Sequence, residues 1–221
     1  MLKRAAVCIA LFILSACQQS KEFARPAPDS LVLGQVTRQD IESTYGRPYS
    51  ERTNLISAPA ARGTNGGLDS ASGRFTVLNY RYSDPAAVFF AGVKAGQKII
   101  AFEFFNGRLY AYNFISNVDS DSSNFDEQKV QQLEDGKTTR QQVVTLFGAP
   151  TGRAVFPGAL LGHEKLIYEY ATGIGSDRIS KRLEMLFEGE TLESFRFVSR
   201  TGAPEPAYPN TTPIPIVVPT R

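Results

Sequence analysis

Tryptophan is absent from this 221-residue chain, histidine occurs once, at His163, and cysteine twice, at Cys8 and Cys17. One histidine without a thiolate pair excludes the common histidine- and cysteine-built metal centres. A Ser-His-Asp arrangement would depend on His163, and no Gly-x-Ser-x-Gly elbow occurs to supply its nucleophile. The 24 basic and 22 acidic residues are nearly balanced, and no basic run is suited to nucleic acid. Beyond the first residues no apolar stretch is long enough to span a bilayer. These absences lead to the expectation of a chain that is not an enzyme and needs neither cofactor nor metal.

What is present begins at the N-terminus. Lys3 and Arg4 precede an unbroken apolar run at residues 5–14, followed by Leu14-Ser15-Ala16-Cys17. The run is too short for a mature transmembrane helix and reads as a secretory signal. Its ending resembles the lipobox of bacterial lipoproteins. That resemblance implies cleavage before Cys17, a diacylglycerol on its thiol and acylation of the new amino terminus. Gln18, in a place where aspartate would favour inner-membrane retention, implies sorting to the outer membrane. Removing residues 1–16 takes Lys3 and Arg4 from the 24 basic residues, leaving 22 against 22 acidic. Cys8 leaves with the signal and Cys17 carries lipid, so no disulfide is expected within the mature chain. Residues 17–30, with few apolar side chains and two prolines, read as a tether reaching roughly 40 Å when extended.

A fifteen-residue pattern occurs twice, at residues 34–48 and 136–150. Gly34/Gly136, Thr37/Thr139, Arg38/Arg140, Gln39/Gln141, Gly46/Gly148 and Pro48/Pro150 are identical between them. Thr37 and Thr139 sit where helix N-caps belong, with Asp40 and Gln142 completing capping boxes. Ile41 with Tyr45, and Val143 with Phe147, lie four apart on one face. Gly46 and Gly148 read as left-handed helix stops, each followed by a proline two residues on. Capping and burial thus account for the pattern, and every repeated residue is expected to be there for structure.

After the first stretch, residues 57–73 are rich in Ala, Gly, Ser and Asn and read as a flexible loop. Leu78, Tyr80 and Tyr82 then alternate as in a strand, residues 98–105 are nearly all apolar, and Asn106-Gly107 is a two-residue hairpin signal. Tyr110, Tyr112 and Phe114 alternate in the returning strand. Residues 117–124 form an acidic, serine-rich connector lacking the glycine and distal glutamate of a calcium loop. A helix is expected next, capped by Asn124 and stopped at Gly136. Leu166, Tyr168 and Tyr170, a turn after Phe187, and Phe195 with Phe197 then repeat the strand pattern.

The repeats point to an internal duplication. With these residues the chain resembles the SmpA/OmlA (BamE-like) family of bacterial envelope lipoproteins, residues 136–150 being the closer match. The resemblance implies an α+β fold, with short helices packed on a three-stranded antiparallel sheet in two tandem units. A tandem arrangement of this kind is also similar to the β-lactamase inhibitor protein fold. The expected divisions are a signal at 1–16, a tether at 17–30, units at 31–117 and 118–200, and a proline-rich tail at 201–221.

The family implies a non-enzymatic, protein-binding scaffold of envelope biogenesis or outer-membrane assembly, anchored by Cys17 and facing the periplasm. Its partners would be envelope proteins, with no nucleic acid. Phe89 and Phe90 in one loop, and Phe156, Leu160 and Leu161 in another, are the candidate partner contacts, although core filling also explains them. The alternative, an anchored inhibitor or ligand-binding module, requires an exposed aromatic sheet face built from residues such as Tyr80, Tyr82, Tyr168 and Tyr170.

Overall fold

The computed structural model describes residues 21–27, 29–57, 61–62, 68–69, 72–83, 96–173 and 177–202. Cys17, Phe89, Phe90 and the tail from residue 203 lie outside the described residues.

Each copy of the repeated stretch forms one short helix, α1 (Arg38–Tyr45) and α2 (Arg140–Phe147). The Thr37 hydroxyl accepts from the Asp40 amide, and the Asp40 carboxylate accepts from the Thr37 amide. Thr139 and Gln142 repeat the exchange. Each box satisfies two amide donors that an uncapped helix would leave open, worth about 1 kcal/mol. Ile41 and Val143 are the buried residues of the two helices, and each burial contributes about 1.5–3 kcal/mol. Gly46 and Gly148 lie at φ 79°, ψ −155° and φ 78°, ψ −162°. This is the positive-φ extended region open essentially to glycine alone, and not the left-handed helical stop expected.

The strands are β1 (Ser50–Ser57), β2 (Ala61–Arg62), β3 (Leu68–Asp69), β4 (Ser72–Ser83), β5 (Gln97–Phe105), β6 (Arg108–Ser116), β7 (Gly152–Ala154), β8 (His163–Thr172), β9 (Ile179–Glu188) and β10 (Thr191–Thr201). β2 and β3 pair with each other, and the remaining strands form one antiparallel sheet of eight in the order β1-β4-β5-β6-β7-β8-β9-β10. The expected tandem of three-stranded sheets is therefore corrected. The strand β7 makes the difference: Gly152, Arg153 and Ala154 pair with Asn113, Tyr112 and Ala111 on one side, and with Ile167, Leu166 and Lys165 on the other. Two separate sheets would leave the edges of β6 and β8 unpaired, and β7 satisfies both.

Beyond the reach of β7, side chains continue the seam. The Thr151 hydroxyl bonds the Ile167 carbonyl and accepts from the Glu169 amide, while Asn113 Nδ2 donates to Glu169 Oε2 at 2.6 Å. At the Asn106-Gly107 turn both residues take positive φ, 50° and 81°, as a two-residue hairpin of this type requires.

The helices are stitched to this sheet in the same way twice. The Gly34 amide donates to the Leu109 carbonyl and the Leu109 amide to Val36; Gly136, Leu192 and Thr138 make the matching pair of bonds. The Tyr80 hydroxyl donates to the Gly46 carbonyl at 3.0 Å and the Tyr168 hydroxyl to Gly148 at 2.7 Å. One core cluster gathers Ile41, Tyr80, Ile100, Phe102 and Phe114, and a second gathers Val143, Leu166, Tyr168, Met185 and Phe187. Register places both clusters on one side of the sheet, because Tyr112, Arg153 and Leu166 are consecutive cross-strand partners. α1 and α2 therefore cover the same face.

Other sequence expectations change in detail. The connector ends in a six-residue 3-10 helix (Glu127–Gln132) capped by Asp126 rather than an α-helix capped by Asn124, although Leu133 is buried as expected. The loop read at residues 57–73 contains the end of β1, both strands of the β2-β3 pair and the start of β4. Residues 21–27, read as tether, pack on the fold through Phe23 and Arg25.

Candidate functional site

Side chains alternate across each strand, so the face opposite the helices follows from register. It presents Val77, Asn79 and Arg81 on β4, Ile99 and Ala101 on β5, Asn113 and Ile115 on β6, Lys165 and Glu169 on β8, Arg182 and Glu184 on β9, and Arg196 and Arg200 on β10. Neither α1 nor α2 covers this open face.

Its second half is an ion ladder. Arg182 pairs with Glu169 across the strands, and its Nη2 lies 2.6 Å from Glu184 Oε1; Lys165 Nζ lies 3.9 Å from Glu184 Oε2. Burial alone would raise the Glu184 carboxyl, but Arg182 and Lys165 outweigh it and hold the group below the usual glutamate range. With Glu169 and Glu184 engaged, Arg52, Arg81, Arg196 and Arg200 stand exposed on the same side. The face thus carries an excess of positive charge although the whole chain is nearly balanced, at a net +2.

Near the middle, the ladder gives way to aromatic packing. Phe75 meets Phe105 at 4.9 Å and Tyr110 at 5.9 Å between ring centroids, and the Tyr110 hydroxyl donates to Glu103 Oε2. Burial, and then the Glu103 charge, push the Tyr110 phenol well above its ordinary range. The segment after β7 folds back here, with Gly158 lying against the Tyr110 ring and the Ala154 methyl, where a side chain would collide. This segment carries three of the expected contact residues, Phe156, Leu160 and Leu161. Phe156 and Leu160 are half-buried, Ala159 is buried, and Leu161 is 48% exposed. Of the expected contacts, Leu161 is the most exposed among the described residues, and Phe156 and Leu160 are partly buried.

Phe156 and Leu161 also line an open groove of about 460 Å³ with Arg140, His163, Glu164 and Phe187. Arg140 organises it: Nη1 lies 2.9 Å from Glu164 Oε2, Nη2 donates to the Gly189 carbonyl at 3.1 Å, and the guanidinium sits 4.8 Å above the Phe187 ring. Arg153 holds the other oxygen of Glu164. His163 is buried, with Nε2 3.0 Å from Glu193 Oε2 and Nδ1 3.1 Å from the Leu161 carbonyl. Both ring nitrogens are thus occupied by acceptors, and the ring serves to hold the loop on β10.

The first helix has a related groove lined by Arg38, Glu42 and Glu51. Arg38 forks onto Glu51 at 2.6 and 2.9 Å and reaches Glu42 at 2.8 Å, although these groups are substantially exposed, which limits such pairs to about 1 kcal/mol or less.

Of the fold-motif residues, Thr37, Gly46, Thr139 and Gly148 cap the helices, Gly34 and Gly136 bond to the sheet, and Pro48 and Pro150 follow the C-caps two residues on. Of the aromatic platform required by the ligand-binding alternative, Tyr80 and Tyr168 are each 1% exposed beneath the helices, while Tyr82 and Tyr170 are half-buried. Sequence reasoning passed over Arg38 and Arg140, whose signal was their identity in both stretches without any capping role to explain it. The Arg182 ladder was missed as well; its signal was opposite charges at same-face positions of neighbouring strands. Among the described residues, no group of three His, Cys, Asp or Glu side chains is placed to hold a metal ion.

No family model and no curated protein matches the chain. Among solved structures the chain is similar to a "putative beta-lactamase inhibitor protein" from Streptococcus mutans, at 11% identity and a TM-score of 0.39, over 73% of this chain and 82% of that one. A likeness at this level carries no argument about fold or function.

Proposed function

We propose that the chain is an outer-membrane-anchored lipoprotein facing the periplasm, a non-enzymatic protein-binding scaffold in envelope biogenesis or outer-membrane assembly. The observation that carries this reading is a broad sheet face left uncovered by both helices, rimmed by the Leu161 segment and rich in exposed arginine. The lipobox ending at Cys17 and the resemblance to SmpA/OmlA lipoproteins supply the address and the setting.

The chemistry of the face defines its partner. Arg81, Arg196 and Arg200 flank small or branched apolar positions such as Ala101 and Val198, a surface suited to an envelope protein with an acidic, partly apolar patch. The test is copurification from gently solubilised membranes, comparing wild type with the paired charge reversal Arg196→Glu and Arg200→Glu. A specific partner recovered with wild type and lost with the variant is the expected result. Undiminished recovery with the variant would move the site elsewhere, and repeated failure of wild type to recover any partner would remove the scaffold reading.

A further inference from the structure

The segment just after the anchoring cysteine does not behave as a tether. Phe23 packs edge-on against Tyr45 at 6.0 Å and Phe114 at 6.4 Å. Two residues on, the Arg25 amide donates to Asp121 Oδ2, and its guanidinium donates to the Ser122 carbonyl at 2.6 Å and the Ala149 carbonyl at 3.2 Å. Ser122 ends a short 3-10 helix and Ala149 follows the cap of α2. Arg25 thus places a cation on the carbonyl that caps the 3-10 helix and on one just past the end of α2. Its guanidinium also lies 5.5 Å over the Phe114 ring, on the other side of the seam from α2.

Lys98 adds a third charge and Glu22 a fourth. It is 4% exposed, and its ammonium lies 3.2 Å from Glu22 and 3.5 Å from Asp121. The chain Glu22–Lys98–Asp121–Arg25 fastens the segment to β5 and the connector, while Phe23 fastens it to the first core cluster.

We infer that residues 21–27 are a latch that seats the fold directly on the bilayer surface, the partner here being the lipid headgroup layer. This rests on the lipoprotein reading of Cys17. With the latch closed, only the four steps from Cys17 to Lys21 remain as a leash, about 13 Å, against roughly 40 Å for an undocked segment. That leash holds the connector at Asp121 close to the headgroups and fixes which end of the seam meets the membrane.

The experiment uses the full lipidated protein reconstituted into phosphatidylethanolamine–phosphatidylglycerol vesicles. Ser120→Cys, beside Asp121, introduces a free thiol for a fluorescent donor, with an acceptor on the lipid headgroups. Energy transfer should be high. It should fall when twelve Gly-Ser residues are inserted between Ser20 and Lys21, and fall similarly in the Phe23→Ala, Arg25→Ala double variant. Equal transfer with and without the insertion overturns the seating. Hydrogen exchange on the unmutated chain reads the latch independently, even if the double variant does not fold. Slow exchange at the Arg25 amide supports it, and exchange at the rate of an open chain overturns it. Palmitate labelling separates the two failures: a Cys17 that takes up no lipid sinks the lipoprotein reading and the seating with it, whereas a lipidated protein with low transfer sinks the seating alone.

Discussion

Two buried tyrosines on the same sheet face should respond oppositely to the loss of one oxygen atom. Tyr168 is 1% exposed and its hydroxyl donates to the Gly148 carbonyl at 2.7 Å, tying the end of α2 to β8. Tyr112 is equally buried, but its hydroxyl has no hydrogen-bond partner among the described residues. Tyr168→Phe loses a made bond and should cost about 1–1.5 kcal/mol. For a domain of this size that is a fall of roughly 2–6 °C in Tm. Tyr112→Phe loses no bond and removes a polar group buried at a cost of about 1–3 kcal/mol, so stability should hold or rise. Burial also pushes the Tyr112 phenol up to about 12, consistent with an oxygen held out of water. Urea unfolding followed by circular dichroism compares the two, since the chain has no tryptophan to report by fluorescence. Equal losses for both variants would refute the reasoning, because the Tyr112 hydroxyl would then have a partner of its own.

Further tests reach the seam, the helix ends and the open face. Gly152→Ala drives a methyl into the Tyr112 carbonyl and the Asn113 backbone, which cannot rotate aside; a loss of about 3 kcal/mol in the same assay is expected, and a neutral result would mean that the seam is loose. Gly148→Ala meets open space, so its cost is conformational alone, about 1–3 kcal/mol, and should be matched by Gly46→Ala in α1. Glu184 is held below its ordinary value of 4.5, so it binds fewer protons folded than unfolded. Its contribution is present above pH 4.5 and lost as pH falls through the lower folded value. Glu184→Gln should therefore flatten the acid limb of the stability profile, and an unchanged acid limb would contradict the ladder.

The local signals in the sequence were strong because they are short-range. Thr37 with Asp40, Thr139 with Gln142, and the Asn106-Gly107 turn each state their geometry within a few residues. The joining of the sheet was not legible, since β7 is only three residues long and shows no alternation from which to read a strand. β1 escaped for a related reason: as an edge strand its Ser50-Glu51-Arg52-Thr53-Asn54 run is polar on both faces, as solvent exposure permits. Phe23 and Arg25 looked like linker because their partners, Phe114, Ser122 and Ala149, lie about a hundred residues away. The candidate face was hidden likewise. Its arginines are scattered along four strands, and only register gathers them. The tyrosines of the alternating strands are the more visible signal, and Tyr80 and Tyr168 among them are core.

The most direct test of the scaffold reading is site-specific photocrosslinking in living cells, with a crosslinkable residue at Arg196 on the open face or at Ser43, exposed on α1. The account predicts that Arg196 captures one discrete envelope protein while Ser43 gives no specific product. Capture from Ser43 alone, or none from either position in membrane-inserted protein, would contradict it.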